Sequence, residues 1–152
     1  MTRRIVMLLA LWAVALPVQA EQLLMARSSQ AFPETMLAVQ DAIGAHGYTV
    51  SRVQRVDVGL TASGYQTDKY RIVFFGRPEE VRRLADTYLE LIPYLPLKLT
   101  LFAEGDDTVV VTANPAVFAP LIDDPQDRAV LKRWGRDIRS ILEQIRSAAG
   151  LD

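Results

Sequence analysis

The 152-residue chain has no cysteine and only one histidine, His46. The first absence excludes a disulfide framework, a thiolate nucleophile and any thiolate metal site. The second means that a Ser-His-Asp triad or an imidazole metal site could be built only around His46. An excess of charge of one sign is lacking too, with 17 Lys and Arg against 18 Asp and Glu, so nothing supports nucleic-acid binding. Long apolar runs are missing: the longest, Ile5 to Leu16, falls short of the roughly twenty residues that span hydrocarbon. Internal repeats and low-complexity linkers are absent, which leaves one domain as the expectation.

What is present begins at the N-terminus. Arg3 and Arg4 precede that apolar run, and Pro17 leads into Val18-Gln19-Ala20. This is the order of charged region, hydrophobic region and small-residue cleavage site that marks a secretory signal, cut after Ala20. Export to the periplasm or beyond is therefore expected, with no transmembrane segment remaining after cleavage. No Cys follows the cut, which excludes a lipoprotein. Removing Arg3 and Arg4 leaves 15 basic and 18 acidic side chains, a net charge of −3. A chain of roughly 130 residues can bury about two thirds of its unfolded surface, enough for a core without staples.

The spacing predicts a short strand over Leu23–Ala26 and a helix opened by Pro33-Glu34-Thr35 and ended by Gly47. Tyr48–Val53 alternates as a strand, and Val56–Leu60 reads as its continuation or its partner, with a turn at Gly64. Tyr70–Phe75 is a strand rich in β-branched and aromatic residues. Pro78-Glu79-Glu80 starts a second helix, in which Val81, Leu84, Ala85, Tyr88 and Ile92 recur at helical spacing until Pro93 and Pro96 stop it. Leu97–Phe102 and Thr108–Thr112 form a hairpin about Glu104-Gly105-Asp106-Asp107. After Asp123-Asp124-Pro125, a cap followed by proline, the last helix carries an apolar face of Val130, Leu131, Trp134, Ile138, Ile141, Leu142 and Ile145. This order is not strict βαβ alternation. It predicts an α+β fold, a mainly antiparallel sheet packed against helices in two layers, with a C-terminal amphipathic helix.

Phe32-Pro33-Glu34-Thr35, Gly47-Tyr48-Thr49-Val50, Tyr70–Pro78, Leu95-Pro96-Leu97-Lys98 and Val111–Pro115, in that order, resemble the bacterial family catalogued as domain of unknown function 302, over roughly residues 24–145. The resemblance implies an α+β sandwich and dimerisation, and brings no established activity. Where the family leads one to expect a small polar residue or cysteine between Gly76 and Pro78, this chain has Arg77, so a thiol-based role does not carry over.

Candidate site residues are few. His46, in the last turn of its helix, suits a capping role, where the dipole and free carbonyls favour an imidazolium; Met25 and Met36 with His46 could ligate copper in principle, but no dense methionine cluster supports it, and no metal or cofactor is expected. Lys98, within an apolar strand, is a candidate cationic anchor for an acidic ligand, with Tyr70 and Arg71 of a neighbouring strand as partners. Arg128, Lys132, Arg136 and Arg139 follow helical spacing and could form a basic strip facing an acidic partner. The apolar face of the same helix is wide enough to be shared with a second subunit.

No catalytic signature stands out. The expectation is an exported, non-catalytic binding or interaction module for a small molecule or an envelope protein, with a homodimer formed through the C-terminal helix. The alternatives are a small periplasmic hydrolase using carboxylates such as Asp68 or Glu104, and an accessory subunit of an envelope complex.

Overall fold

A computed structural model of the protein describes residues 21–148; the expected signal, residues 1–20, lies outside them. Strands β1 (Leu23–Ser28), β2 (Thr49–Arg55), β3 (Tyr70–Gly76), β4 (Leu97–Glu104) and β5 (Asp107–Ala113) form one sheet in the order β1-β5-β4-β3-β2. Every neighbouring pair is antiparallel. Helices α1 (Phe32–Ala45), α2 (Val56–Ala62), α3 (Pro78–Thr87) and α4 (Pro125–Ala148) join them, with two 3-10 helices, Leu89–Tyr94 and Pro115–Leu121. The fold is α+β as expected.

Strand alternation sends Leu24 and Ala26 of β1, Val73 and Phe75 of β3, Leu97, Leu99 and Leu101 of β4 and Val110 of β5 into the core. There they meet Val39, Ala42 and Ile43 of α1 and the apolar face of α4. α4 lies along β1 and against α1. Val130, Leu131, Trp134, Ile138, Ile141, Leu142 and Ile145 are all buried within this one chain. The α4 face is thus consumed by the core and offers nothing to a second subunit, contrary to the expectation of a dimer through that helix. Among the described residues, no helix is long and apolar enough to cross a membrane.

Two elements differ from the sequence reading. Val56–Leu60 is not a strand but the body of α2. The helix closes on Gly64, at φ +88°, where Gly64 N–H donates to Thr61 O and Tyr65 N–H to Leu60 O, both at 3.0 Å. These are the paired bonds of a Schellman cap, and such local closure overrides the β-branched pattern. The second helix does not run to Ile92. It breaks at Tyr88, whose backbone is extended, and Pro93, which removes the N–H for the Leu89 carbonyl and restricts Ile92, keeps an α-helix from re-forming beyond the break. The chain resumes as a 3-10 helix that buries Leu91 and leaves Ile92 half exposed.

A polar network pins α1, α3 and α4 together. Gly47, at φ +74°, caps α1 with bonds from Gly47 N to Gly44 O and from Tyr48 N to Ile43 O. His46 Nδ1 lies 2.8 Å from the Ala42 carbonyl oxygen, as a capping role requires. Arg77 donates to the carbonyls of His46 and Gly47 and sits 4.9 Å from the centre of the Tyr48 ring. The Tyr48 hydroxyl donates to Asp137 at 2.5 Å. Glu80 accepts from both Arg133 and Trp134 Nε1. Burial, reinforced by the Asp137 carboxylate, pushes the Tyr48 phenol well above its ordinary range, so it stays neutral.

Candidate functional site

The two 3-10 helices each follow from proline chemistry: Pro93 and Pro120 lie inside them and Pro115 opens the second. Asn114 fixes the second by accepting from Ala116 N–H through its side-chain oxygen and donating its amide to the Glu21 carbonyl. Tight 3-10 turns present side chains on three sides, so part of each helix faces the core and part stays outside. Leu91 and Ala119 are buried, while Leu89, Ile92, Tyr94 and Leu121 are exposed. The Tyr94 and Phe118 rings pack across the gap, with centroids 4.2 Å apart.

Between these helices lies a cavity of about 30 Å³, space on the order of two water molecules. Leu91, Tyr94 and Leu95 line one wall, and Pro115 and Phe118 the other. Leu131 and Trp134 of α4 contribute from the core, and Leu97, Lys98, Thr112 and Ala113 from the ends of β4 and β5. The lining is overwhelmingly apolar, and the Thr112 hydroxyl is already used, donating to the Lys98 carbonyl at 2.6 Å. Lys98 is the only charged residue in the lining, and among the described residues its ammonium makes no ion pair.

The other sequence candidates do not gather here. Tyr70 opposes Phe102 and Lys98 opposes Phe74, so both lie on the helix-free face but four residues apart, roughly 13 Å along the sheet. Arg71 points to the opposite face, ion-paired with Asp57 and 5.8 Å from the Phe32 ring centre. In the α4 strip, Arg128 turns back onto the Ile122 and Asp123 carbonyls, which makes it a brace for the α4 entrance. Lys132, Arg136 and Arg139 are exposed. Met25 faces out from β1, while Met36 and His46 belong to α1 on the other side of the sheet.

The carboxylates have other duties. Asp57, Glu80, Asp107, Asp127 and Asp137, the acids that are not fully exposed among the described residues, each pair with an arginine. Asp68 sits on an open hollow of about 560 Å³ beside Asp106 and Asp107, and Glu104 is paired with Arg27. Among the described residues, no three His, Cys, Asp or Glu side chains are placed to hold a metal ion.

Sequence reasoning reached Lys98 but missed Leu91, Tyr94, Phe118 and Trp134 as its companions. The available signal was a pair of proline-punctuated segments each carrying an aromatic, Pro93-Tyr94 and Phe118-Ala119-Pro120, flanking the β4–β5 hairpin.

The fold is similar to that in the crystal structure of an uncharacterized conserved protein DUF302 from Bacillus stearothermophilus, with a TM-score of 0.72 and 20% identity over 84% of this chain and 100% of that one. No curated protein matches the chain. The family described as "Domain of unknown function DUF302" matches residues 25–145, the stretch from the first strand to the last buried turn of α4, and the chain belongs to that family.

Proposed function

We propose that this protein is an exported, non-catalytic binding module that takes a small carboxylate, with one or two carbons of an apolar tail, in the slot between its two 3-10 helices. The observation that carries this reading is an apolar cavity bordered by a single charged residue, Lys98, that makes no ion pair among the described residues. An apolar cavity rejects water and accepts hydrocarbon, and Lys98, which borders the slot with its side chain on the helix-free face, would meet a negative head group that stays outside the cavity. At about 0.8 kcal/mol per buried CH₂, the one or two carbons that fit contribute roughly 1–2 kcal/mol. The ligand is therefore small and its affinity modest.

Trp134 lines the slot, and the only other tryptophan is Trp12 in the signal, so fluorescence of residues 21–152 reports on the site directly. Titration with the carboxylates from acetate to butanoate should shift that fluorescence saturably, and the matched alcohols should bind more weakly. Lys98→Gln should bring acid and alcohol to the same affinity. A series that leaves the emission unchanged up to its solubility limit overturns the assignment.

A further inference from the structure

The two edges of the sheet are finished differently. Along β1 lies α4, whose Arg146 donates to the Met25 carbonyl. At the other edge β2 is last in the strand order, and among the described residues β3 is its only strand neighbour. Every second residue of an antiparallel edge strand turns its N–H and C=O outward, so β2 presents a row of unpaired backbone groups. Its side chains are uncovered as well: Thr49, Ser51, Arg52, Val53 and Arg55 are all exposed. Val53 marks the gap. It opposes Val73 on the core-facing side of the sheet, yet is 37% exposed where Val73 is 0%, so the helical layer leaves the outermost strand partly bare.

We infer that the β2 edge is a docking site for an acidic extended segment of a partner protein, which adds to the sheet as a sixth strand. In this mode of recognition main-chain hydrogen bonds supply the attachment and alternate side chains the selection. The charges decide which strand is selected. Arg52 and Arg55 make no ion pair among the described residues, and β2 has no acid of its own. Asp57, the carboxylate whose charge feels Arg55, is held by Arg71. Exposed cations and a bulge, here between Val50 and Arg52, keep an edge from pairing with neutral or basic strands. An acidic strand turns the same cations into attachment points. A second copy of the chain does not fit, because β2 against β2 would crowd four arginines onto one seam with no acid to offset them. Residues 1–20, with Arg3, Arg4 and no acid, do not match either.

The register of β2 sets the motif. Arg52 and Gln54 lie on the helix-free face with Phe74 and Ile72, and Val53 and Arg55 on the core-facing side with Val73 and Arg71. Every strand pair in this sheet is antiparallel. A partner added in the same sense meets Arg55 first, then Gln54, Val53 and Arg52. Read along the partner, the motif is acid, polar, apolar, acid, with the apolar side chain closing over Val53.

The probe is the capped hexapeptide Thr-Glu-Thr-Val-Glu-Thr, and its charge-reversed control is Thr-Lys-Thr-Val-Lys-Thr. Titrated into nitrogen-15-labelled residues 21–152, the acidic peptide should shift the amide resonances of residues 49–55 and leave those of β1 in place. Calorimetry should show the control binding about ten-fold more weakly or worse, since each cross-strand charge pair is worth up to about five-fold. Arg52→Glu should weaken the acidic peptide by about five-fold with an unchanged circular dichroism spectrum. A test that needs no variant is to methylate the backbone nitrogens of alternate peptide residues: one of the two phases should abolish binding with every side chain still present. Equal binding of the two peptides, survival of binding in both methylated phases, or no binding at millimolar concentration overturns the inference. Shifts confined to another surface, such as the Lys132, Arg136 and Arg139 strip of α4, overturn it as well. These readouts are independent of ligand binding in the slot, so either reading can fail without the other.

Discussion

Tyr48 shows how one side chain ties local closure to global stability. Its backbone completes the Schellman cap of α1, its ring packs edge-on against Phe75 at 5.6 Å, and its hydroxyl binds Asp137 of α4. Tyr48→Phe should cost about 1.5–3 kcal/mol, the worth of a hydrogen bond to a charged acceptor, read as a lower midpoint in urea unfolding. Because burial and Asp137 raise the phenol's pKa in the folded state, the native protein holds that proton when an unfolded tyrosine would release it, near pH 10. The stability this represents is complete below that pH and is lost as the pH climbs toward the folded value. Wild-type stability should therefore fall more steeply above pH 10 than that of Tyr48→Phe.

Asp57 has the opposite sign. The hydrogen bond from Arg71 holds its carboxyl below the usual range, so its contribution is present at neutral pH and fades as the pH drops through the folded value. Arg71→Gln should lose stability at pH 7 and little at strongly acid pH, as thermal unfolding at the two pH values would show. The role that Lys98 and Tyr70 suggested for Arg71 in the sequence gives way to this structural one.

At the scale of elements, legibility followed the strength of the local signal. α4 and the β4–β5 hairpin were read with near-correct bounds because many residues repeat one pattern, and the Asp124 cap is present, accepting from Gln126 and Asp127 N–H. α2 was misread because five residues of alternating Val, Asp and Gly satisfy a strand template while hydrogen bonds from Gly64 and Tyr65, outside the window, decide for helix. The slot was illegible for a different reason: its walls come from segments far apart in sequence, and only the sheet brings Lys98 to Pro115 and Trp134. Gly135 belongs to the same class. It looks like a helix-weakening glycine, worth about 1 kcal/mol against Ala. A Cβ there, however, would lie 2.7 Å from Asn114 Oδ1 and 3.0 Å from the Ala116 Cβ. Asn114 cannot yield, since its amide and carbonyl are both committed. Overpacking of this kind costs about 1–3 kcal/mol, so Gly135→Ala should be net destabilising, seen as a reduced thermal midpoint, where propensity alone forecasts a gain.

For the molecule as a whole, the expected cleavage site and the fold constrain each other. The buried Asn114 takes its hydrogen bonds from the first residues after the proposed cut, its side chain donating to Glu21 O and its backbone N–H to Gln22 O, each at 2.8 Å. Cleavage after Ala20 keeps both acceptors. Cleavage two residues later would strip them from a side chain that is 0% exposed, and a buried donor left unsatisfied costs about 1–3 kcal/mol. With no disulfide to compensate, that loss would fall on a small core held by packing alone. Expression of the full chain in a Gram-negative host should therefore yield a periplasmic protein whose intact mass begins at Glu21. A version beginning at Leu23 should unfold at a measurably lower temperature than one beginning at Glu21. Recovery of the uncut chain in the cytoplasm would overturn the assignment of export, and equal stability of the two versions would overturn the role given to Asn114.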